Sequence, residues 1–287
     1  MLQEFPQPYL ILDALDECAD RAELMKILEQ IAQWQIENIH VLVTSRKERD
    51  IENSLEDIVN GEYIVGLQSH VIDKDIEIYV RQRLSDDKGL NKWRKDAGIR
   101  REIETTLTEG SRGMFRWAVC QMDSLGKCRT RLALQKALKV LPVTLDETYE
   151  RILYRISDDD SEYAMRILKW LVFSSRPLSV EELAEIVAIN VEREPAFNRD
   201  EILEDPIDVL DICMGLVSVA MAESSSLPSP SPHSSTISRT VTLAHYSVQE
   251  YLVSTRIRQG NAARYSMQAA ASHAYIAKGT ISYLLQF

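Results

Sequence analysis

The feature that most constrains this chain is the segment YLILDALDECAD at residues 9–20, where an apolar run leads directly into acidic residues. A continuous apolar run is typical of a strand buried on both faces of a parallel sheet. Apolar residues then recur at helical spacing from 24 to 31, and HVLVTS at 40–45 is a second apolar run. This order predicts a βαβ unit with parallel strands. EYIVGL at 62–67 is predicted to form a third strand.

Charged residues follow each of the first two predicted strands. Asp13 ends the first strand, Asp16 and Glu17 come next, and Arg46 follows the second strand. Because the carboxyl ends of parallel strands border one crevice, we expect Asp13 to hold Mg²⁺ through its water shell. Asp16 and Glu17 are the candidate catalytic pair that polarises an attacking water. Arg46 is a candidate sensor of a terminal phosphate. The competing interpretation is a capped loop with a surface arginine.

The remainder of the chain is predicted to be mostly helical. Residues 1–72 form the α/β part, and residues 73–158 show apolar stripes at helical spacing, typical of a helical domain. Within it, Thr144 and Glu147 form a predicted capping box just after Pro142.

A second pattern of helices and strands occupies residues 159–258. Two helices, the second capped by Ser179 with Glu182 at the box position, precede two strands, LVSVAM and TVTLAHY. This order predicts a winged helix. The serine- and proline-rich residues 223–239 between the strands are predicted to be disordered. The alanine-rich residues 259–287 predict the start of a helical linker or repeat region.

Composition excludes several classes of protein. The net charge is −11, and an acidic chain is repelled by nucleic-acid phosphates and anionic membranes, so neither is expected as a partner. Four scattered cysteines show no metal spacing and predict reduced thiols. No signal peptide is apparent, and the apolar runs are too short to span a bilayer. We therefore expect a cytoplasmic protein.

Several of these segments resemble one protein family. YLILDALDEC is similar to the Walker B motif of NACHT-type P-loop NTPases, the class that includes NOD-like receptors, and VLVTSR resembles their sensor strand. EGSRGMFRWAVCQMDSL and LPVTLDETYERIL resemble the helical segment of the large fungal, nephrocystin-like branch. RPLSVEELAEIVAI and VTLAHYSVQEYLVS resemble the winged helix found beside GPI inositol-deacylase-like proteins.

The resemblance implies a fold and a set of ligands. The fold is α/β and then mostly α: part of a P-loop NTPase parallel sheet from the Walker B strand onward, a helical domain and a winged helix. The implied cofactors are ATP or ADP with Mg²⁺, and the implied function is a nucleotide-controlled switch for assembly, in non-self recognition or cell-death signalling. His245, in the H-x-S-x-Q-E-Y-L string, would contact the β-phosphate of ADP. Without the resemblance, it would be a satisfied loop histidine.

The sequence departs from this family at one essential point. No G-x-x-x-x-G-K-[ST] phosphate loop occurs in these 287 residues. We therefore expect the phosphate loop in a segment upstream and ankyrin or WD repeats downstream, with protein partners or self-assembly. We expect the chain alone to be catalytically inactive and to bind no nucleotide stably. The alternative is a non-catalytic interaction module with a vestigial Walker B segment.

Overall fold

The computed structural model describes residues 7–34, 38–67, 69–222 and 238–286. The chain divides into two compact units, residues 1–67 and 68–287. The first unit is a small α/β unit with two strands, and the second is mostly helical with one three-stranded sheet. At this level the observed fold agrees with the predicted class.

The first unit is built on two parallel strands. β1 (Tyr9–Leu12) and β2 (His40–Val43) are joined by α1 (Arg21–Gln33), and α2 (Arg49–Glu56) follows β2. In the register of the pair, Tyr9 lies opposite His40 and Leu12 lies opposite Val43. The prediction of two parallel strands joined by a helix is confirmed.

Only one face of this small sheet is covered by helices. Leu12 and Val43 pack against a core formed by α1, α2 and the turn after β1, with Leu15 buried in it. On the other face, Tyr9 and Ile11 are 67% and 65% exposed. The expectation that β1 is buried on both faces is therefore wrong for this chain, because α1 and α2 lie on a single face of a two-stranded sheet.

The predicted third strand at 62–67 is also wrong. Asn60 accepts a hydrogen bond from the Glu62 amide at 3.3 Å and opens a short 3₁₀ turn over Gly61–Tyr63. Val65 and Leu67 are 82% and 78% exposed and belong to no strand. The segment has the composition of a strand, but a strand also needs a neighbour to satisfy its backbone groups.

The second unit begins with a helical bundle that has its own core. Its helices are α3 (Ser69–Asp86), α4 (Ala97–Ser111), α5 (Phe115–Gly126) and α6 (Arg131–Lys139). The apolar stripes seen in the sequence are buried here, as Ile76, Val80 and Leu84 on α3 and Ile99, Ile103 and Leu107 on α4. The helical interpretation of this region is confirmed.

Trp117 of α5 is buried in the core of this bundle. It is 1% exposed, and its indole N–H donates to the Pro142 carbonyl at 2.9 Å. A Cβ added to Gly110 of α4 would lie 2.7 Å from the ring of Trp117. Only glycine therefore lets α4 approach this ring so closely.

A second core lies under the remaining helices and the antiparallel sheet. These elements are, in chain order, α7 (Leu145–Tyr154), α8 (Asp158–Phe173), β3 (Leu178–Ser179), α9 (Val180–Ile186), α10 (Asp208–Ile212), β4 (Val217–Ala222), β5 (Ser238–Leu243), α11 (Tyr246–Val253) and α12 (Ala269–Leu284). The sheet has the order β3-β5-β4, with both pairs antiparallel.

The predicted pairing of the two late strands is confirmed by the register of β4 with β5, in which Val217 lies opposite Leu243. The segment predicted to be disordered, 223–239, lies outside the described residues except for Ser238 and Arg239, which belong to β5. There the prediction is wrong, because both residues are paired with β4.

The two predicted capping boxes have different outcomes. Ser179 and Glu182 form the complete reciprocal box at the start of α9. Thr144 caps α7 by accepting from the Glu147 amide at 3.2 Å, but the Glu147 carboxylate accepts from the Val143 amide instead of the Thr144 amide.

A partly buried ion-pair group joins α8 to the loop after α9. Arg193 pairs with Glu201, and Arg166, whose side chain is 7% exposed, lies 3.3 Å from the same carboxylate. The hydrogen bond from Arg193, together with the attraction of both arginines, holds the pKa of Glu201 below its ordinary value of 4.5. Glu201 is therefore ionised in the folded protein at neutral pH.

Candidate functional site

The turn after β1 is held to the end of β2 by Thr44. The Thr44 hydroxyl donates to the Asp13 carboxylate and accepts from the Ala14 amide at 2.8 Å. The Thr44 carbonyl accepts from the Leu15 amide at 2.9 Å. These bonds hold Ala14 in the left-handed region at φ 55°, a conformation that glycine, asparagine and aspartate adopt more readily than alanine. The turn after Asp13 is therefore held in this conformation by its contacts with Thr44.

Asp16 binds the segment that follows β2. Its carboxylate accepts from the Arg46 amide at 2.9 Å and lies 3.3 Å from Nε of the Arg46 side chain. The Asp16 side chain is 6% exposed, whereas that of Arg46 is 49% exposed. Sequence reasoning expected Asp16 and Arg46 at the same edge of the sheet, and the structure brings them into direct contact.

Glu17 and Asp13 are the exposed carboxylates of this edge. Glu17 ends the 3₁₀ turn Leu15–Glu17 that carries Asp16. Among the described residues, no group of three or more His, Cys, Asp or Glu side chains could hold a metal ion. Protein sites for Mg²⁺ commonly use one or two carboxylates, with waters and substrate phosphates as the other ligands.

His245 belongs to the second unit, where it is the N-cap residue of α11. Its Nδ1 accepts from the Ser247 amide at 3.1 Å and lies 2.7 Å from the Ser247 hydroxyl. The Ser247 hydroxyl lies 2.7 Å from the hydroxyl of Tyr149, which is fully buried on α7. The imidazole itself is exposed at the start of the helix.

Sequence reasoning missed two residues that organise these sites. Thr44 had a usable signal, because it directly follows β2 and precedes the Ser45-Arg46 pair, so its hydroxyl can reach the neighbouring strand end. Tyr149 had none, because it looks like one more core residue in an amphipathic helix.

Two family models match the chain. One is described as "Nephrocystin 3, N-terminal" and matches residues 1–46, and the other is described as "GPI inositol-deacylase, winged helix domain" and matches residues 149–228. The predicted resemblance to fungal NACHT-type proteins is confirmed. The match to the nephrocystin model contains Asp13, Asp16, Glu17 and Arg46. The second ends before His245. No solved structure matches the chain significantly.

Two curated fungal proteins are similar to the chain over long stretches. "Azaphilone pigments biosynthesis cluster protein L" of Monascus ruber is 36% identical over 172 residues, which are 60% of this chain and 34% of that protein. "Vegetative incompatibility protein HET-E-1" of Podospora anserina is 28% identical over 256 residues, which are 86% of this chain and 17% of that protein. The chain thus spans well under two thirds of either relative.

No helix within residues 7–34, 38–67, 69–222 and 238–286 is long and apolar enough to cross a membrane.

Proposed function

We propose that this chain is part of a NACHT-type signal-transducing NTPase, in which ATP or ADP controls assembly through protein–protein contacts. The observation that carries the proposal is the contact between the two strand ends of the first unit, where Asp13 and Asp16 meet Thr44 and Arg46. In a parallel sheet, this edge is where ligands bind. The similarity to HET-E-1 supports a role in fungal incompatibility.

The geometry favours a separate role for each charged residue. Asp13 is an exposed carboxylate oriented by Thr44, so we assign it to Mg²⁺, which would neutralise phosphate charge when bound. Glu17 is the exposed member of the proposed catalytic pair and is the better placed to meet water. Asp16 is buried and paired, so its contribution is to hold Arg46 at the edge where a phosphate would lie.

The second unit fits a winged helix that does not bind DNA. The helices α8, α9 and α10, which precede β4, and the three-stranded sheet of order β3-β5-β4 support the winged-helix assignment for residues 159–258. The short helix α10 directly before β4 carries Asp208 and Asp211. Because acidic groups there repel phosphates, we propose no nucleic-acid partner for this unit.

A second candidate function is a protein-interaction module without catalysis. The absence of a phosphate loop from these 287 residues favours it, because backbone amides and a lysine normally cradle the phosphates. Under this alternative, Asp13 would be replaceable without loss of signalling.

A chimera separates the two candidates. The matched 256-residue stretch of HET-E-1 would be replaced by this chain, and vegetative incompatibility would be scored in Podospora anserina. If the nucleotide switch is correct, the chimera gives the reaction and Asp13→Ala abolishes it. Glu29→Gln, which changes an exposed carboxylate of α1, is the matched control and should leave the reaction intact.

Two outcomes would contradict the switch. An Asp13→Ala chimera that still gives full incompatibility supports the interaction module. A chimera that is expressed and folded but gives no reaction counts against a shared function with HET-E-1.

A further inference from the structure

Two hydroxyl groups, on α7 and α11, lead to His245. The Tyr149 hydroxyl of α7 lies 2.7 Å from the Ser247 hydroxyl of α11, which lies 2.7 Å from Nδ1 of His245. Tyr149 is fully buried, so this contact is held within the core.

The backbone gives these hydrogen bonds a direction. The Ser247 amide donates to Nδ1 of His245, so Nδ1 carries no proton and accepts from the Ser247 hydroxyl as well. The Ser247 hydroxyl in turn accepts from Tyr149. Burial raises the pKa of Tyr149, so the phenol stays neutral and has a proton to donate.

The Ser247 amide therefore decides which ring nitrogen of His245 carries the proton. The Ser247 amide can only donate, and it lies 3.1 Å from Nδ1 of His245. Nδ1 therefore accepts two hydrogen bonds, and the proton of the neutral ring is on Nε2.

We infer that Tyr149 and Ser247 are positioning residues that hold His245 in one ring orientation and in the Nε2–H tautomer. A serine or asparagine caps a helix at least as well as a histidine. Histidine adds a second ring nitrogen, which presents a donor to an anionic oxygen. That last step rests on the proposed function, in which the oxygen belongs to a nucleotide phosphate. The tautomer itself does not.

The inference is tested on the chain as it exists by long-range ¹H–¹⁵N spectra of histidine-labelled protein at about pH 8, where an ordinary imidazole is neutral. We expect Nδ1 of His245 to be unprotonated, with an excess of the Nε2–H form of about tenfold or more. Each of the two accepted bonds contributes about 1 kcal/mol, and about 1.4 kcal/mol corresponds to a factor of ten. His40 and His273 serve as internal references in the same spectra.

Three variants distinguish positioning from packing. Ser247→Ala should reduce the tautomer excess to a few-fold, Tyr149→Phe should reduce it less, and Ser247→Thr, which retains the hydroxyl, should restore it. His40 and His273 should not change. Helix content by circular dichroism shows that each variant is folded.

The inference fails if Nδ1 is protonated in the parent chain, or if a folded Ser247→Ala variant keeps the parent spectrum. His245→Asp separates this inference from the nucleotide proposal, because aspartate keeps the cap but has no donor. If the HET-E-1 chimera carrying His245→Asp signals like the parent chimera, the phosphate contact is wrong, while the tautomer result stands.

Discussion

Thr44→Val should loosen the turn that carries Asp13 while preserving the side-chain volume. The substitution removes the hydrogen bond from the Ala14 amide and the bond to the Asp13 carboxylate. A neutral hydrogen bond contributes about 1 kcal/mol net. The carboxylate bond adds no more than about the same again, because the site is exposed and solvent screens it.

Amide hydrogen exchange measures this loss locally. Since about 1.4 kcal/mol corresponds to a factor of ten, loss of about 1 kcal/mol should speed exchange of the Ala14 amide about fivefold. Thr44→Ser retains the hydroxyl and should exchange at nearly the parent rate. Unchanged exchange at Ala14 in Thr44→Val would refute the role of Thr44 in tying the two strand ends together.

Three further predictions concern activity and stability. The purified chain should show no ATP turnover with Mg²⁺, because it has no phosphate loop; turnover lost in Asp13→Ala would contradict this. Gly110→Ala should lower the free energy of unfolding by up to about 2 kcal/mol, because overpacking against Trp117 costs about 1–3 kcal/mol and the better helix propensity of alanine returns about 1 kcal/mol. Gly126→Ala is the control, because a Cβ there has no contact closer than 3.9 Å, and it should not be destabilising in thermal denaturation. The pKa of Glu201 is lowered in the folded protein, so its contribution to stability is present above pH 4.5 and is lost as pH falls through its folded pKa. Glu201→Gln should therefore reduce the loss of thermal stability between neutral and acidic pH. The same pH dependence of melting temperature in the variant and the parent would contradict the pairing.

The sequence predicted the parallel pair because its signals are local. Apolar runs at 9–12 and 40–43, with helical spacing between them, define two strands and a crossover. The same local signals failed at 62–67, because composition can mark a segment as suited to a strand but cannot supply the neighbour it needs. The burial of β1 failed for a similar reason, since it depends on how many layers cover the sheet.

The candidate site shows the same division. Asp13, Asp16 and Arg46 could be placed at one edge because the ends of parallel strands must meet there. The division of labour between Asp16 and Glu17 could not be predicted, because burial of one carboxylate depends on the turn geometry that Ala14 adopts.

The environment of His245 was the least predictable part. Ser247 is two residues from His245 and is visible in the sequence pattern, but Tyr149 is 98 residues from Ser247. Contacts of this separation depend on how α7 and α11 pack, and no periodicity in the sequence encodes that packing.

The most direct test of the central claim is the nucleotide content of the purified HET-E-1 chimera that carries this chain. If the chain is part of a nucleotide switch, the chimera retains bound adenine nucleotide, Asp13→Ala retains less in the presence of Mg²⁺, and His245→Ala releases ADP faster than the parent chimera. A folded chimera that is free of nucleotide, or that retains ADP equally well in all three forms, would contradict the claim.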